Sequence, residues 1–87
     1  MYIIGIYDIK QNRVNKVKKI FDTYLTRCQL SVYEGELTTS KYKKLISEIS
    51  KVINKKEDSV ILFTFATKRY IIKEVIGIEK INNTTIL

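Results

Sequence analysis

The chain opens with Met1-Tyr-Ile-Ile-Gly-Ile-Tyr-Asp8, where six of the seven residues before the aspartate are apolar or aromatic. A run this short, rich in isoleucine and tyrosine, reads as a strand buried on both faces. Alternation along a strand points Tyr2, Ile4, Ile6 and Asp8 one way and Ile3, Gly5 and Tyr7 the other. The strand ends on a carboxylate, held where a rigid element meets solvent and close in sequence to Lys10 and Arg13. A fixed carboxylate in a basic chain is the position best placed for chemistry.

From Gln11 to Leu25, Val14, Val17, Ile20, Phe21, Tyr24 and Leu25 recur at spacings of three and four, which predicts an amphipathic helix laid on a sheet. Cys28 to Leu37 returns to strand character and reads either as one long bent strand or as a tight hairpin turning near Leu30-Ser31. Gly35 within it points to a bulge or a close backbone approach. Thr38-Thr39-Ser40 supplies N-cap hydroxyls for a second helix carried by Tyr42, Leu45, Ile46, Ile49, Val52 and Ile53 through to Asn54. Val60 to Phe65 is apolar on both faces and is expected to be a central strand. Tyr70 to Ile78 is a trailing strand, expected to pair with the edge of a second copy.

This order predicts an α+β sandwich of ferredoxin-like type, βαββαβ with an extra C-terminal strand and both helices on one face of an antiparallel sheet. With 87 residues, no proline and three glycines, the chain reads as a single domain over 1–87. Its core is expected over 1–66, with 70–87 forming a C-terminal strand and tail against the second protomer. A chain of this size buries roughly 60–65% of its unfolded surface, enough to fold but helped by dimerisation. No apolar run is long enough to cross a membrane and the start lacks a signal-peptide pattern, so a cytoplasmic protein is expected.

The net charge is +7, and it is unevenly distributed. Lys10, Arg13, Lys16, Lys18, Lys19 and Arg27 stand against Asp22 alone in the first basic segment, and the six lysines between Lys41 and Lys56 stand against Glu48 alone in the second. Two such segments are the electrostatic footprint of a protein that sits on phosphates; solubilising lysines on a small apolar domain are the plainer reading. Arg13, Lys16 and Lys19 can follow one another along an exposed helix edge, near an N-terminus whose free N–H groups favour an anion. Lys41, Lys43 and Lys44 crowd the first turn of the second helix against its dipole, as if they served something outside it.

The absence of histidine excludes an imidazole base and both Ser-His and Cys-His pairs. Gly5, Gly35 and Gly77 are isolated, so there is no glycine-rich phosphate loop. Cys28 has no second cysteine to bond and reads as a small buried residue. Among other candidates, Tyr7, Ser31 and Tyr33 could line a cleft with Asp8 or serve as ordinary sheet residues. Glu34 and Glu36 alternate with apolar neighbours and are expected to face solvent, and Phe63 and Phe65 are expected in the core. Asp8 itself reads either as a metal ligand or as a cap of the turn that follows it.

Four separated blocks carry a resemblance: the opening strand ending Tyr7-Asp8, the basic helix start Arg13-Val-Asn-Lys-Val-Lys-Lys19, the stretch Gln29-Leu-Ser-Val-Tyr-Glu-Gly-Glu-Leu-Thr38, and Glu57-Asp-Ser-Val60 before the last core strand. Together they resemble the Cas-two family of small CRISPR-associated proteins across essentially the whole chain. The resemblance implies a ferredoxin-like homodimer whose C-terminal strand joins the partner's sheet. It implies a role in spacer acquisition, where the dimer bridges the Cas-one integrase and supports duplex DNA. It also implies Mg²⁺- or Mn²⁺-dependent endonuclease activity on single-stranded RNA or duplex DNA, with Asp8 from each copy holding the metal as catalytic ligand. Lys10, Arg13, Lys16, Lys19 and Arg27 are the expected nucleic-acid contacts. A DNA-binding scaffold without catalysis, or a toxin-like ribonuclease of the same fold, are the alternatives. The Val75 to Leu87 segment is the expected integrase contact.

Overall fold

A computed structural model describes residues 1–78. The elements are β1 (Tyr2–Asp8), α1 (Gln11–Tyr24), β2 (Thr26–Gln29), β3 (Val32–Glu36), α2 (Thr39–Val52) and β4 (Ser59–Phe65), then a single 3-10 turn at Lys68–Tyr70. The sheet order is β2-β3-β1-β4 with every neighbouring pair antiparallel. This is the ferredoxin-like βαββαβ arrangement that the alternation of strands and helices implies.

Both helices lie on the face of the sheet that carries Ile3 and Tyr7, because their apolar stripes have no other surface on which to bury. Val17 and Phe21 of α1, Leu45 and Ile49 of α2, and Ile3, Tyr7 and Tyr33 of the sheet form one buried cluster. Phe21 sits between two tyrosines, with ring centroids 5.4 Å from Tyr7 and 5.1 Å from Tyr33. Gly5 makes that closeness possible: a Cβ there would stand 2.7 Å from Cε1 of Phe21. The second helix starts at Thr38, whose hydroxyl accepts from the Lys41 amide at 3.2 Å.

The ambiguous Cys28–Leu37 stretch is a hairpin. Its turn falls at Leu30-Ser31, and the amide of Tyr7 donates to the carbonyl of Ser31 at 3.1 Å, which pins the hairpin tip beside the end of β1. The irregularity in pairing lies between Arg27 and Gln29 on β2 rather than at Gly35. Gly35 instead allows a close approach, since a Cβ on it would lie 3.2 Å from Cδ2 of Leu25.

Three expectations about burial are corrected. Strand β4 lies at an edge of the four-stranded sheet rather than in its centre. Phe63 is 48% and Ile61 49% exposed, and Phe65 is half-buried, because they face away from the helices. An apolar run shows that both faces of a strand resist water but does not say that the same chain covers both. Glu34, expected in solvent, is only 6% exposed. It shares the helix-free face with Tyr2 and Cys28, whose hydroxyl and thiol donate to its two oxygens at 2.9 and 3.4 Å. Polar alternation along a strand does not by itself mean exposure: this carboxylate is buried with its hydrogen-bond partners.

Residues 71–76 and 78 border a groove of about 470 Å³ with Ile4, Cys28, Gln29, Val32 and Glu34 on that same face. Residues 71–78 form no ladder with the described strands. The remainder of the expected C-terminal strand and of the expected integrase contact lies outside the described residues. No helix among the described residues is long and apolar enough to cross a membrane.

Candidate functional site

Asp8 ends β1 directly opposite Ser59, the first residue of β4. Alternation from the buried Ile3 and Tyr7 turns it, with Ile4 and Ile6, to the helix-free face. Its side chain is exposed, and among the described residues it makes no hydrogen bond or ion pair. It does not cap the following turn.

The capping role belongs to a different aspartate. Asp58, immediately before Ser59, has a side chain with no exposure and accepts four bonds. Its Oδ1 takes the Lys10 amide at 2.9 Å and Nη2 of Arg13 at 3.0 Å; its Oδ2 takes Nε of Arg13 at 2.6 Å and the Asn54 amide at 2.8 Å. The Arg13 fork also reaches Glu57 at 2.8 Å. The hydrogen bonds from Arg13 are the first cause that holds the Asp58 carboxyl far below the usual carboxylate range, with the Lys10 and Asn54 amides adding to them against the opposing effect of burial. The same pairing pushes the Arg13 guanidinium above its ordinary value. The anion that the start of α1 favours is therefore supplied by the chain itself.

Of the basic residues expected at nucleic acid, Lys10, Lys16 and Lys19 are exposed. Lys10 lies two residues beyond Asp8, and Lys16 and Lys19 follow along α1. Arg13 is half-buried and held in the clamp. Arg27 is half-buried opposite Tyr33, which itself pairs with Gly5, so it stands two strands away from Asp8. Lys41, Lys43, Lys44, Lys51, Lys55 and Lys56 are all exposed.

The hydroxyls expected in a shared cleft take structural places. Tyr33 is fully buried on the helix side and donates to Asp22 at 2.6 Å. Burial, and then that bond, push its phenol above the ordinary range. Tyr7 packs in the core and its hydroxyl points at the Leu30 carbonyl at 3.4 Å. Ser31 forms the hairpin turn. Burial is the first cause that pushes the Cys28 thiol up to about 11, with the neighbouring Glu34 charge second, so little reactive thiolate exists at neutral pH. Glu36 is exposed.

No three His, Cys, Asp or Glu side chains among the described residues form a ready metal cage. The donor set at the strand end nevertheless suits a hard cation. Mg²⁺ is commonly held by one or two carboxylates with water and phosphate oxygens completing its shell. Asp8 offers one uncommitted carboxylate, and the same residue of a second copy would offer the other.

No local pattern signals the clamp, because Arg13 and Asp58 are 45 positions apart. Glu57-Asp-Ser-Val60 carries part of the family resemblance, but nothing in it names Arg13 as a partner.

Residues 1–71 match the family model of CRISPR associated protein Cas2. The chain is 44% identical over 87 residues, all of both chains, to the CRISPR-associated endoribonuclease Cas2 of Dictyoglomus turgidum. It is 44% identical over 80 residues, 92% of each chain, to the protein of that name from Thermotoga maritima. A crystal structure of Cas2 superimposes with a TM-score of 0.88 at 34% identity, covering 100% of this chain and 98% of that one.

Proposed function

This chain belongs to the CRISPR-associated protein Cas2 family, and on that premise we propose that it is a divalent-metal-dependent endoribonuclease that works as a homodimer. The observation that carries this reading is the exposed Asp8 carboxylate at a rigid strand end, uncommitted among the described residues. Asp8 from each of two copies would hold Mg²⁺ or Mn²⁺. When bound, such an ion polarises a phosphoryl oxygen and lowers the pKa of its water.

The chain's own residues account for the remaining requirements. Lys10, just before α1, and Lys16 and Lys19 along it present ammonium groups on the surface and hold phosphates without reading bases. Arg27 adds charge from the sheet. Arg13 contributes only what its two carboxylate partners leave over. Relatives bearing the name endoribonuclease support RNA as the first substrate class to try.

The test is cleavage of labelled single-stranded RNA and duplex DNA by wild type and Asp8→Ala, with Mg²⁺, Mn²⁺ or EDTA, and with oligomeric state measured by light scattering. Metal-dependent cleavage by wild type that falls at least about a hundredfold in a still-dimeric Asp8→Ala supports the reading. Equal cleavage by both proteins, or cleavage that persists in EDTA, overturns it.

The exposed lysines of α2 and of the turn after it favour a second role, as a scaffold that holds duplex DNA and bridges the Cas-one integrase during spacer acquisition. In that role, duplex binding falls linearly in log salt and survives Asp8→Ala; an affinity indifferent to salt argues against it.

A further inference from the structure

The two aspartates at this end of the sheet are mechanically connected. Asp8 pairs across the strands with Ser59; Asp58 is the residue before Ser59, and its Oδ1 takes the amide of Lys10, two residues after Asp8. The fork of Arg13 locks the same carboxylate from the first turn of α1 at 2.6 and 3.0 Å. The Asn54 amide fixes it from the α2–β4 loop at 2.8 Å. Asp8 therefore lies between two points, Lys10 and Ser59, that are each tied to one buried side chain.

We propose that Asp58 and Arg13 are a positioning pair for Asp8, setting the end of β1 so that its carboxylate presents to a divalent cation. The proposal rests on the reading of Asp8 as a metal ligand. Neither residue of the pair is itself a ligand: Asp58 has no exposed side-chain surface and its oxygens are committed. Groups bonded directly to a ligand weaken metal affinity by about 10–100-fold when lost, and this pair, which holds Asp8 through the backbone on either side of it, is expected at the lower end of that range. A displacement of the strand end by about 1 Å would keep the Asp8 carboxylate present but aimed elsewhere.

The experiment measures Mn²⁺ binding by the free-ion electron paramagnetic resonance signal, using the full chain well below its melting temperature. Wild type, Asp8→Asn, Asp58→Asn, Arg13→Lys and Val17→Ala are compared, with circular dichroism confirming the fold. Val17→Ala is the control for general destabilisation, since Val17 is fully buried in the core cluster. The expected result is roughly tenfold or greater weakening in Asp58→Asn, a smaller loss in Arg13→Lys, which keeps the charge but not the fork, and little change in Val17→Ala. If Asp58→Asn does not fold, Arg13→Lys carries the test alone against the same control.

Wild-type affinity in the clamp variants, or equal weakening in Val17→Ala, overturns the positioning role. When Asp8→Asn abolishes binding but the clamp variants bind normally, only this proposal falls. When Asp8→Asn binds Mn²⁺ as wild type does, the assignment of Asp8 falls and the positioning role with it.

Discussion

The two faces of the sheet are built from the same strands but solve opposite problems. On the helix side, over Gly5, the ring of Phe21 packs 5.4 Å from that of Tyr7 and 5.1 Å from that of Tyr33, and Val17 and Leu45 have no exposure. On the other side Glu34 is buried with Tyr2 and Cys28, while Ile61 and Phe63 remain half exposed and Asp8 faces solvent. The first face is completed within the chain. The second keeps apolar surface and, among the described residues, a carboxylate without a partner, so the packing that the chain makes for itself is concentrated on one side of the sheet.

The sharpest way to break that contrast is a pair of truncations. Phe21→Ala removes a fully buried ring from the helix side and is expected to cost about 3–5 kcal/mol in urea unfolding. Phe63→Ala, on the half-exposed face, is expected to cost less than Phe21→Ala in the same assay. Comparable losses from the two would mean that the helix-free face is packed as tightly in solution as the core.

Acid should expose a smaller effect, at the Asp58 clamp. The folded-state pKa of Asp58 is depressed, so its stabilisation is present above the ordinary carboxylate value near 4 and is lost as pH falls through the native value. Melting of wild type is expected to drop by several degrees between pH 7 and pH 3. Asp58→Asn, which cannot gain from that ionisation, should show a flatter profile in the same scan. Parallel profiles would show that the clamp is not what acid undoes.

The smallest effect concerns Cys28. Its thiol is buried and displaced upward to about 11, so iodoacetamide labelling of the folded protein at pH 8 should run at least about a hundredfold slower than in urea, because thiolate is the reacting form. Rapid labelling without urea would show that the segment 71–78 and the hairpin do not shield it.

Much of the fold was legible because it follows from periodicity. The two helices repeat apolar residues at three and four, the opening run is short, apolar and rich in isoleucine and tyrosine, and the order of elements leaves few topologies. The hairpin was not decided by pattern, since Leu30-Ser31 lacks the glycine or asparagine that marks a two-residue turn; its position was set by the pairing of β3 with β1. Asp8 was legible as a strand-end carboxylate because strand ends and charge are local properties. The clamp was not legible, because nothing near Arg13 in sequence announces Asp58.

By itself, then, the sequence determined the βαββαβ order, the helix faces and the placement of a carboxylate at the end of the first strand, all consequences of spacing along the chain. Tertiary structure alone decided that β4 is an edge, that Glu34 is buried with a tyrosine and a thiol, and that Arg13 closes on Asp58 rather than standing open to phosphate. The physical reason is common to all three. Burial and ion pairing depend on which segments the sheet brings side by side, and a residue's own neighbours in sequence do not specify what will cover it.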